Sequence, residues 1–242
     1  MAELLVTRHE RIAVLTLNRP AAGNRLTTSL ATDVALTLEA ARNDDSVRGC
    51  VLTGAGNVFC LGGDYQGAGP TVAGRKAYAA ALLRLDRAMG QLGKPLVAGV
   101  NGDAHAGGFS VVVACDLAVA ANAATFGLPE AARGLFPFIA LAIVKDALPK
   151  KVFFDLVYSA RLMNATEALA LHLVNEVAEG GRVLERAVER ARAASAHRGR
   201  IVTLGRDLYY ALRGRNPEES LEDAEKALLA ALELADDAAN DT

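Results

Sequence analysis

The feature that most constrains how this chain can fold is a succession of strand, glycine turn and helix that occurs twice. One short apolar run gives way to Gly62-Gly63, another gives way to Gly107-Gly108, and each turn leads towards a helical pattern. Glycine permits the tight turns that join closely packed elements, which is the simplest explanation of each pair taken alone. Together the turns predict two stacked units, each presenting backbone N–H groups where its helix begins. The two turns are not a sequence repeat of the solenoid kind.

Strand-like and helix-like segments alternate up to about residue 140, and helical patterns dominate the rest. Apolar runs predict strands over 11–17, 47–53, 96–100 and 117–120. Apolar residues at helical spacing predict helices over 27–42 and 76–92. An apolar segment after the second glycine turn predicts a helix over 109–114, and Glu and Arg at helical spacings predict one over 183–197. Asn216 followed by Pro217 is typical of a helix start, and this helix should run to about Asp236. The acidic end, 236–242, is expected to be a frayed tail.

Composition excludes several classes of function. The chain has 242 residues, of which 52% are hydrophobic, and its net charge is −2. This apolar content is enough for a packed core, and the near-neutral charge disfavours a nucleic-acid partner or an anionic membrane surface. The longest apolar run, 135–144, is too short to span a bilayer, and the charged start of the chain lacks the apolar core of a secretory signal.

The cysteines give a weaker indication of compartment and chemistry. Cys50, Cys60 and Cys115 are odd in number, lie far apart and are not in CxxC spacing. We therefore expect neither a disulfide framework nor a metal site. A reducing, cytoplasmic location is the corresponding expectation.

Backbone donors and one carboxylate indicate where chemistry can occur. If the N–H groups of the two glycine turns converge, they can hold an oxyanion, because the donors are fixed and a helix N-terminus adds positive potential. Glu130, which follows Pro129 in a turn-rich segment, can then move a proton next to the stabilised carbonyl. Taken alone, Glu130 is more simply a surface or capping acid. Neither turn matches a GxxxxGK[ST] phosphate loop or a GxGxxG dinucleotide motif.

Several motifs follow one another in a fixed order along the chain. They are NRP at 18–20, VLTG at 51–54, FCLGGD at 59–64, KPLVAGVNG at 94–102, GG at 107–108, ACDLAVA at 114–120, ATFGLPE at 124–130, GLFP at 134–137 and HLVN at 172–175. In this order and spacing they resemble the crotonase superfamily, also called the enoyl-CoA hydratase/isomerase family. The resemblance covers about 12–178 and continues more loosely into the C-terminal helices.

The resemblance implies an α/β fold, a crotonase-like spiral of repeated ββα units over residues 1–182 with a small helical C-terminal region over 183–242. It implies an acyl-CoA thioester as substrate, with an enolate-type intermediate whose oxygen is held by the N–H groups of Gly63 and Gly107. CoA would arrive as part of the substrate, with no metal or redox cofactor. The resemblance also implies trimers or dimers of trimers.

The sequence departs from the hydratases of this family at one catalytic position. Those enzymes use two glutamates to add water, and the resemblance places Ser110 and Glu130 at these positions. A serine hydroxyl cannot act as an equivalent base without an activating partner. The glycine-rich run that hydratases carry after Pro137 is also replaced, by an apolar segment. One base beside an oxyanion hole is enough to shift a double bond, so we favour isomerisation of an enoyl-CoA by Glu130, with Ser110 as a small wall or a group that orients water.

Three alternatives stay open beside isomerisation. The chain can be an enoyl-CoA hydratase with a non-standard site. It can be an acyl-CoA hydrolase that uses Ser110, although 108–112 lacks the final glycine of a nucleophile elbow and no His–Asp pair can be assigned to the serine. It can also be a non-catalytic acyl-CoA-binding protein, although the retained Gly63, Gly107 and Glu130 argue against complete loss of chemistry.

Four further polar residues are candidates for binding the substrate. Asp64 follows the first oxyanion glycine, although capping the next helix is the simpler role. His105 precedes the second turn and can reach the mouth of the site. Arg206 lies where relatives carry a lysine near the CoA phosphates, and Arg25 can contact CoA from the N-terminal turn.

Three more polar side chains fit packing roles at least as well as binding roles. Tyr65 and Tyr78 are candidates for lining an acyl pocket, with core packing as the simpler role. Asp116 is expected to be a structural hydrogen-bonding residue.

Overall fold

The computed structural model describes residues 2–197 and 199–240. Its strands are β1 (Leu4–His9), β2 (Ile12–Leu17), β3 (Gly49–Gly54), β4 (Val58–Cys60), β5 (Leu96–Val100), β6 (Asp103–His105), β7 (Leu117–Ala121), β8 (Thr125–Gly127), β9 (Met163–Asn164) and β10 (Glu176–Ala178). Its helices are α1 (Thr28–Asn43), α2 (Val72–Gly90), α3 (Gly107–Ala114), α4 (Phe138–Val144), α5 (Lys150–Ser159), α6 (Ala165–Ala170), α7 (Val183–Ala194), α8 (Gly199–Ala211) and α9 (Pro217–Asn240).

Successive units each contribute one strand to each of two sheets. The larger sheet has the order β1-β2-β3-β5-β7-β10, in which β1 and β2 are antiparallel and the other neighbours are parallel. The smaller sheet has the order β4-β6-β8-β9. The pairs β3–β4, β5–β6 and β7–β8 therefore repeat, and α2 and α3 follow the first two pairs. This arrangement confirms the predicted α/β spiral of ββα units.

The central strands are predictable because they are buried on both faces. Parallel strands in such a position carry apolar or small residues throughout rather than alternating with polar ones. Every residue of β3 and β5 is buried. The edge strand β1 is mostly exposed and mixes apolar with charged residues, and the sequence patterns did not indicate it.

Helix α7 packs directly on the larger sheet, although it belongs to the predicted C-terminal region 183–242. Its Ala187 lies so close to β5 that a Cβ added at Gly99 would stand 3.2 Å from the Ala187 Cβ. Small residues on both elements therefore permit this close approach. The boundary between 182 and 183 stays a prediction.

The last helix begins as the sequence predicts but ends later. The backbone N–H of Glu219 donates to Asn216 Oδ1 at 2.9 Å, which confirms the predicted cap. The helix continues to Asn240, so the expectation of a frayed tail over 236–240 was wrong, and 241–242 lie outside the described residues. In the described part of the chain, no helix has both the length and the apolar content to cross a membrane.

Candidate active site

The two glycine turns, which follow β4 and β6 of the smaller sheet, meet at one point. The first is held by hydrogen bonds on both sides of Gly63, from the Leu26 N–H to the Gly62 carbonyl (2.9 Å) and from the Asp64 N–H to the Leu26 carbonyl (2.8 Å). The second begins α3 at Gly107. A Cβ added at Gly107 would lie 3.5 Å from the Gly63 nitrogen, so the two turns are in contact. The convergence expected from the sequence is therefore present.

The backbone donors at this point are free. Among the described residues, neither the Gly63 N–H nor the Gly107 N–H donates to a protein acceptor. Gly107 is the first residue of α3, whose dipole adds positive potential at this end. Two fixed donors and a helix N-terminus can stabilise a negatively charged oxygen without reorganising.

A strained residue positions the second donor. Ala106 has φ +52° and ψ −125°, a conformation that side-chain-bearing residues rarely adopt. Its N–H donates to the Gly127 carbonyl at 2.8 Å, and its own carbonyl accepts the Ser110 N–H at 3.1 Å. The neighbouring sheet and the first turn of α3 therefore hold the peptide that carries the Gly107 N–H.

The hydroxyl of Tyr78 lies directly over Gly63. A Cβ at position 63 would collide with Tyr78 Oη, so glycine is required there while Tyr78 keeps its place. Burial raises the pKa of Tyr78 to about 12, so its hydroxyl keeps its proton. Tyr65 and Tyr78 both line the cavity described next, as the sequence suggested. The position of Tyr78 beside the free N–H groups of the glycine turns was not predicted.

Both glycine turns border a cavity of about 460 Å³. Its walls come from α2, α3, α4 and the turn after β8. Its apolar lining includes Leu82, Leu85, Met89, Val111, Ile139 and Ile143. An apolar pocket with a few convergent polar groups is typical of a small-molecule site.

Glu130 supplies the carboxylate of this cavity. It lies in the 3-10 turn Pro129–Arg133, which follows β8 and presents its side chain to the same space as Gly63 and Gly107. Its Oε2 is buried and has no hydrogen-bond partner among the described residues. Burial raises the pKa of Glu130, opposed by its own backbone N–H and by Arg133. A desolvated carboxylate with a free oxygen is suited to accept a proton.

Ser110 lies in the cavity wall one turn into α3. Only 3% of its surface is exposed, and its Oγ donates to the Ala106 carbonyl at 3.3 Å. No hydrogen bond joins Ser110 to a histidine or a carboxylate among the described residues. Without such a partner the hydroxyl is not activated as a nucleophile or base.

His105 belongs to a chain of hydrogen bonds that ends at the cavity. Its Nε2 lies 2.8 Å from Thr125 Oγ1, which donates in turn to Asp103 Oδ1 at 2.7 Å. Because Thr125 uses its proton for the carboxylate, His105 donates through Nε2 and keeps a lone pair on Nδ1. Burial lowers the pKa of His105, which favours this neutral form.

The structure places the two candidate arginines differently. Arg25 lines the cavity and donates to the Leu61 carbonyl at 2.6 Å, next to the first glycine turn. Arg206 is 8% exposed in its side chain and donates to Asp116 (2.9 Å), Gly90 O (2.8 Å) and Met89 O (2.6 Å). It caps the last carbonyls of α2 and is not in the cavity. Its assignment to the CoA phosphates is therefore corrected, because its donors are already used.

Asp64 and Asp116 are also structural. Asp64 pairs with Arg19 at 3.2 Å and accepts the Gly67 N–H at 3.2 Å. It does not line the cavity, so its expected role in binding the substrate is corrected. Asp116 accepts the Leu96 N–H at 2.8 Å, as expected for a structural hydrogen-bonding residue.

Sequence reasoning missed two charged residues of the cavity, Asp86 and Arg133. Asp86 lies in a helix among apolar residues and had no motif to indicate it. Arg133 follows Glu130 by three residues, at the end of the same 3-10 turn, and the sequence indicated only that this segment is rich in turns. Among the described residues, no group of three or more potential metal ligands is present.

Comparison with known proteins agrees with this fold. The chain is 35% identical to the enoyl-CoA hydratase EchA19 of Mycobacterium tuberculosis over 201 residues, which cover 81% of this chain and 75% of that protein. It is 34% identical to the 2,3-dehydroadipyl-CoA hydratase of Escherichia coli over 202 residues, which cover 81% and 77%. The structure of an enoyl-CoA hydratase from Mycobacterium smegmatis matches with a TM-score of 0.90 and 28% identity, covering 96% of this chain and 91% of that one.

A match to a family model assigns the chain to a protein family. The model described as enoyl-CoA hydratase/isomerase matches residues 7–237. This match covers both sheets and most of the C-terminal helices. The chain therefore belongs to the enoyl-CoA hydratase/isomerase family.

Proposed function

We propose that this protein isomerises an enoyl-CoA thioester by moving one proton through Glu130. The observation that carries the proposal is the buried, unpartnered Oε2 of Glu130 in the same cavity as the free N–H groups of Gly63 and Gly107. The substrate class is supported by family membership and by the relatives, which are named as hydratases of CoA thioesters. CoA arrives as part of the substrate.

The reaction begins with a 3-enoyl thioester whose carbonyl oxygen accepts hydrogen bonds from Gly63 and Gly107. The Glu130 carboxylate removes a proton from the α carbon, and the electron pair of that C–H bond moves into a dienolate whose oxygen the two N–H groups stabilise. The Glu130 carboxyl then returns the proton to the γ carbon, which gives the 2-enoyl thioester. No atom is gained or lost, and no electron is exchanged with a cofactor.

The composition of the site favours a reaction with one acid–base group. Ser110 donates to a backbone carbonyl and has no activating partner among the described residues. The other carboxylate of the cavity, Asp86, lies on α2 eight residues beyond Tyr78, which is about 12 Å along the helix. We therefore assign to Glu130 the proton transfer at both the α and the γ carbon of the thioester.

Hydration is the second candidate, and the hydrogen-bond chain of His105 favours it. A neutral imidazole with a lone pair on Nδ1 can accept a proton from water, which would replace the base missing at Ser110. The water oxygen would bond to the β carbon, and Glu130 in its protonated form would deliver a proton to the α carbon. The relatives named above are hydratases, which agrees with this alternative.

The decisive experiment measures both reactions on one set of substrates. Purified protein is incubated with 3-enoyl-, 2-enoyl- and 3-hydroxyacyl-CoAs, and products are separated by chromatography because isomers share a mass. Isomerisation predicts interconversion of the two enoyl forms, and Glu130→Gln should lower that rate by about 10²–10⁴-fold. Glu179→Gln, at an exposed glutamate, is the matched control.

The outcomes separate the candidates. Formation of 3-hydroxyacyl-CoA that depends on both His105 and Glu130 would favour hydration over isomerisation. Binding of acyl-CoA without turnover of any substrate would indicate a non-catalytic binding protein. Free CoA released by the wild type and not by Ser110→Ala would indicate hydrolysis.

We further propose that the active form is a trimer or a dimer of trimers. The C-terminal helix α9 exposes more than half of each of four leucines, Leu221, Leu228, Leu229 and Leu232. An apolar helix face of this kind is typical of a surface that is covered in an assembly. Light scattering on the purified protein measures the mass directly. The cytoplasmic location stays a prediction.

A further inference from the structure

The cavity is lined by a second carboxylate in addition to Glu130. Asp86 lines it from α2, where Leu82 and Leu85 precede it and Met89 follows it on the same side of the helix. Ala114, the last residue of α3, also lines the cavity. Glu130 lines it from the turn after β8.

The helix gives the axial separation of Tyr78 and Asp86. The Tyr78 hydroxyl marks the position of the oxyanion donors, because it lies directly over Gly63. Asp86 follows Tyr78 by eight residues, which corresponds to about 12 Å along the axis of α2. An acyl chain held by its thioester at the donors and running along α2 would bring its far end towards Asp86.

Asp86 has no partner that explains its position. Among the described residues, no hydrogen bond or ion pair involves its carboxylate. Arg87 and Arg213 are the cations near it, and both are too distant for an ion pair. Burial raises the pKa of Asp86, as expected for a carboxylate beside apolar side chains. A half-buried carboxylate without a partner is unfavourable for the fold and is therefore a candidate to bind a ligand group.

We infer that Asp86 selects acyl chains that carry a hydrogen-bond donor, such as a hydroxyl or an ammonium group, near their far end. A carboxylate accepts hydrogen bonds from such groups and repels a second carboxylate. A plain alkyl end would leave Asp86 unpaired, and a dicarboxylic acyl chain would place two negative charges together. This inference rests on the proposed acyl-CoA function and adds the substrate class.

The test measures binding with CoA esters that cannot react. Isothermal titration is carried out with saturated decanoyl-CoA, its ω-hydroxy form and its ω-carboxy form, and with the corresponding eight- and twelve-carbon chains. At the best chain length, the wild type should bind the ω-hydroxy form at least about tenfold more tightly than the other two, as a hydrogen bond to a charged group predicts. Asp86→Leu should reverse the preference in favour of the plain chain.

A second readout excludes a purely structural role. Asp86→Leu should raise the melting temperature of the ligand-free protein, because it replaces an unpaired carboxylate by an apolar side chain. Asp33→Asn removes the same charge at an exposed position of α1 and should change neither binding nor melting. A melting temperature lowered by Asp86→Leu, with chain preference unchanged, would overturn the inference.

The two proposals fail in different ways. Equal affinity of the wild type for the three chain ends, or preference for the ω-carboxy form, overturns the role of Asp86 and leaves Glu130 chemistry intact. Retained ω-hydroxy preference with no effect of Glu130→Gln on turnover overturns only the isomerase proposal. If no acyl-CoA binds, both are wrong.

Discussion

The two halves of the site use different chemical groups, backbone N–H groups in one and a side chain in the other. The half that would hold the carbonyl oxygen uses backbone N–H groups, fixed by hydrogen bonds of the turns around Gly63 and Gly107. The half that would move the proton uses one side chain, Glu130, in a short 3-10 turn beside the partly exposed helix α4. Backbone donors depend on the fold as a whole, whereas a side chain can change in one substitution. A side-chain position such as Ser110 can therefore change while the backbone donors stay in place.

The largest effects on turnover and stability are expected from substitution of the neighbouring glycines Gly107 and Gly108. A Cβ at Gly107 would make ordinary contacts, the nearest at 3.5 Å from the Gly63 nitrogen. Gly107→Ala should therefore fold, but its methyl group would crowd the donors and lower turnover by about 10²–10³-fold. A Cβ at Gly108 would instead collide with the Cys60 carbonyl oxygen. Gly108→Ala should lower the free energy of unfolding by about 3 kcal/mol or more.

Turnover and urea denaturation of the two variants together check this contrast. The expected pattern is a stable, inactive Gly107→Ala and a destabilised Gly108→Ala. If Gly107→Ala kept the wild-type turnover, the backbone half would not be the oxyanion site. If both variants were equally unstable, the two glycines would serve packing alone.

Much of the oxyanion half could be predicted from sequence because it depends on local patterns. Buried parallel strands produce continuous apolar runs, and β2 and β5 appear within one residue of their predicted limits. The strands of the smaller sheet are at most three residues long, too short to show a period. The sequence therefore predicted the spiral through its glycine turns and its family resemblance rather than through each strand.

The side-chain half was less predictable because burial is a property of the whole fold. Arg206 resembled a phosphate-binding residue, yet it is enclosed by the end of α2 and by Asp116. In the sequence, Asp86 is one polar residue of an amphipathic helix. Only the structure shows that it shares a cavity with residues of α3 and α4. Glu130 was predicted from a motif, whereas its unpartnered oxygen could be seen only in three dimensions.

Ionisation of Glu130 should lower the free energy of unfolding, by an amount that depends on pH. Burial raises the folded-state pKa of Glu130 above the unfolded value of about 4.5. The folded state therefore binds this proton more tightly, so the associated stability is present below the unfolded pKa and is lost as pH rises through the folded pKa. Glu130→Gln should raise the free energy of unfolding at neutral pH, because it removes a charge that burial disfavours.

Urea denaturation at two pH values tests whether the stability gain from Glu130→Gln depends on pH in this direction. The gain from Glu130→Gln should be present at pH 7 and should vanish below about pH 4.5, where both states of the wild type are protonated. Glu179→Gln, at an exposed position, should show no such difference. A gain of equal size at both pH values would mean that ionisation of Glu130 is not its cause.

The smallest effect is expected for Ala106→Gly, which tests what keeps the backbone donors rigid. Ala106 has a positive φ of +52°, which costs about 1–3 kcal/mol for a residue with a side chain. Ala106→Gly would relieve this strain, but glycine adds flexibility that costs about 0.5–1 kcal/mol, and the methyl group that packs beside Gly62 would be lost. Because the relief of strain outweighs these losses, we expect the free energy of unfolding to rise by about 0.5 kcal/mol. Turnover should not change, because the Ala106 N–H still donates to Gly127. A fall in stability would mean that packing of the methyl group on Gly62, rather than the hydrogen bonds of the turn, keeps the two donors together.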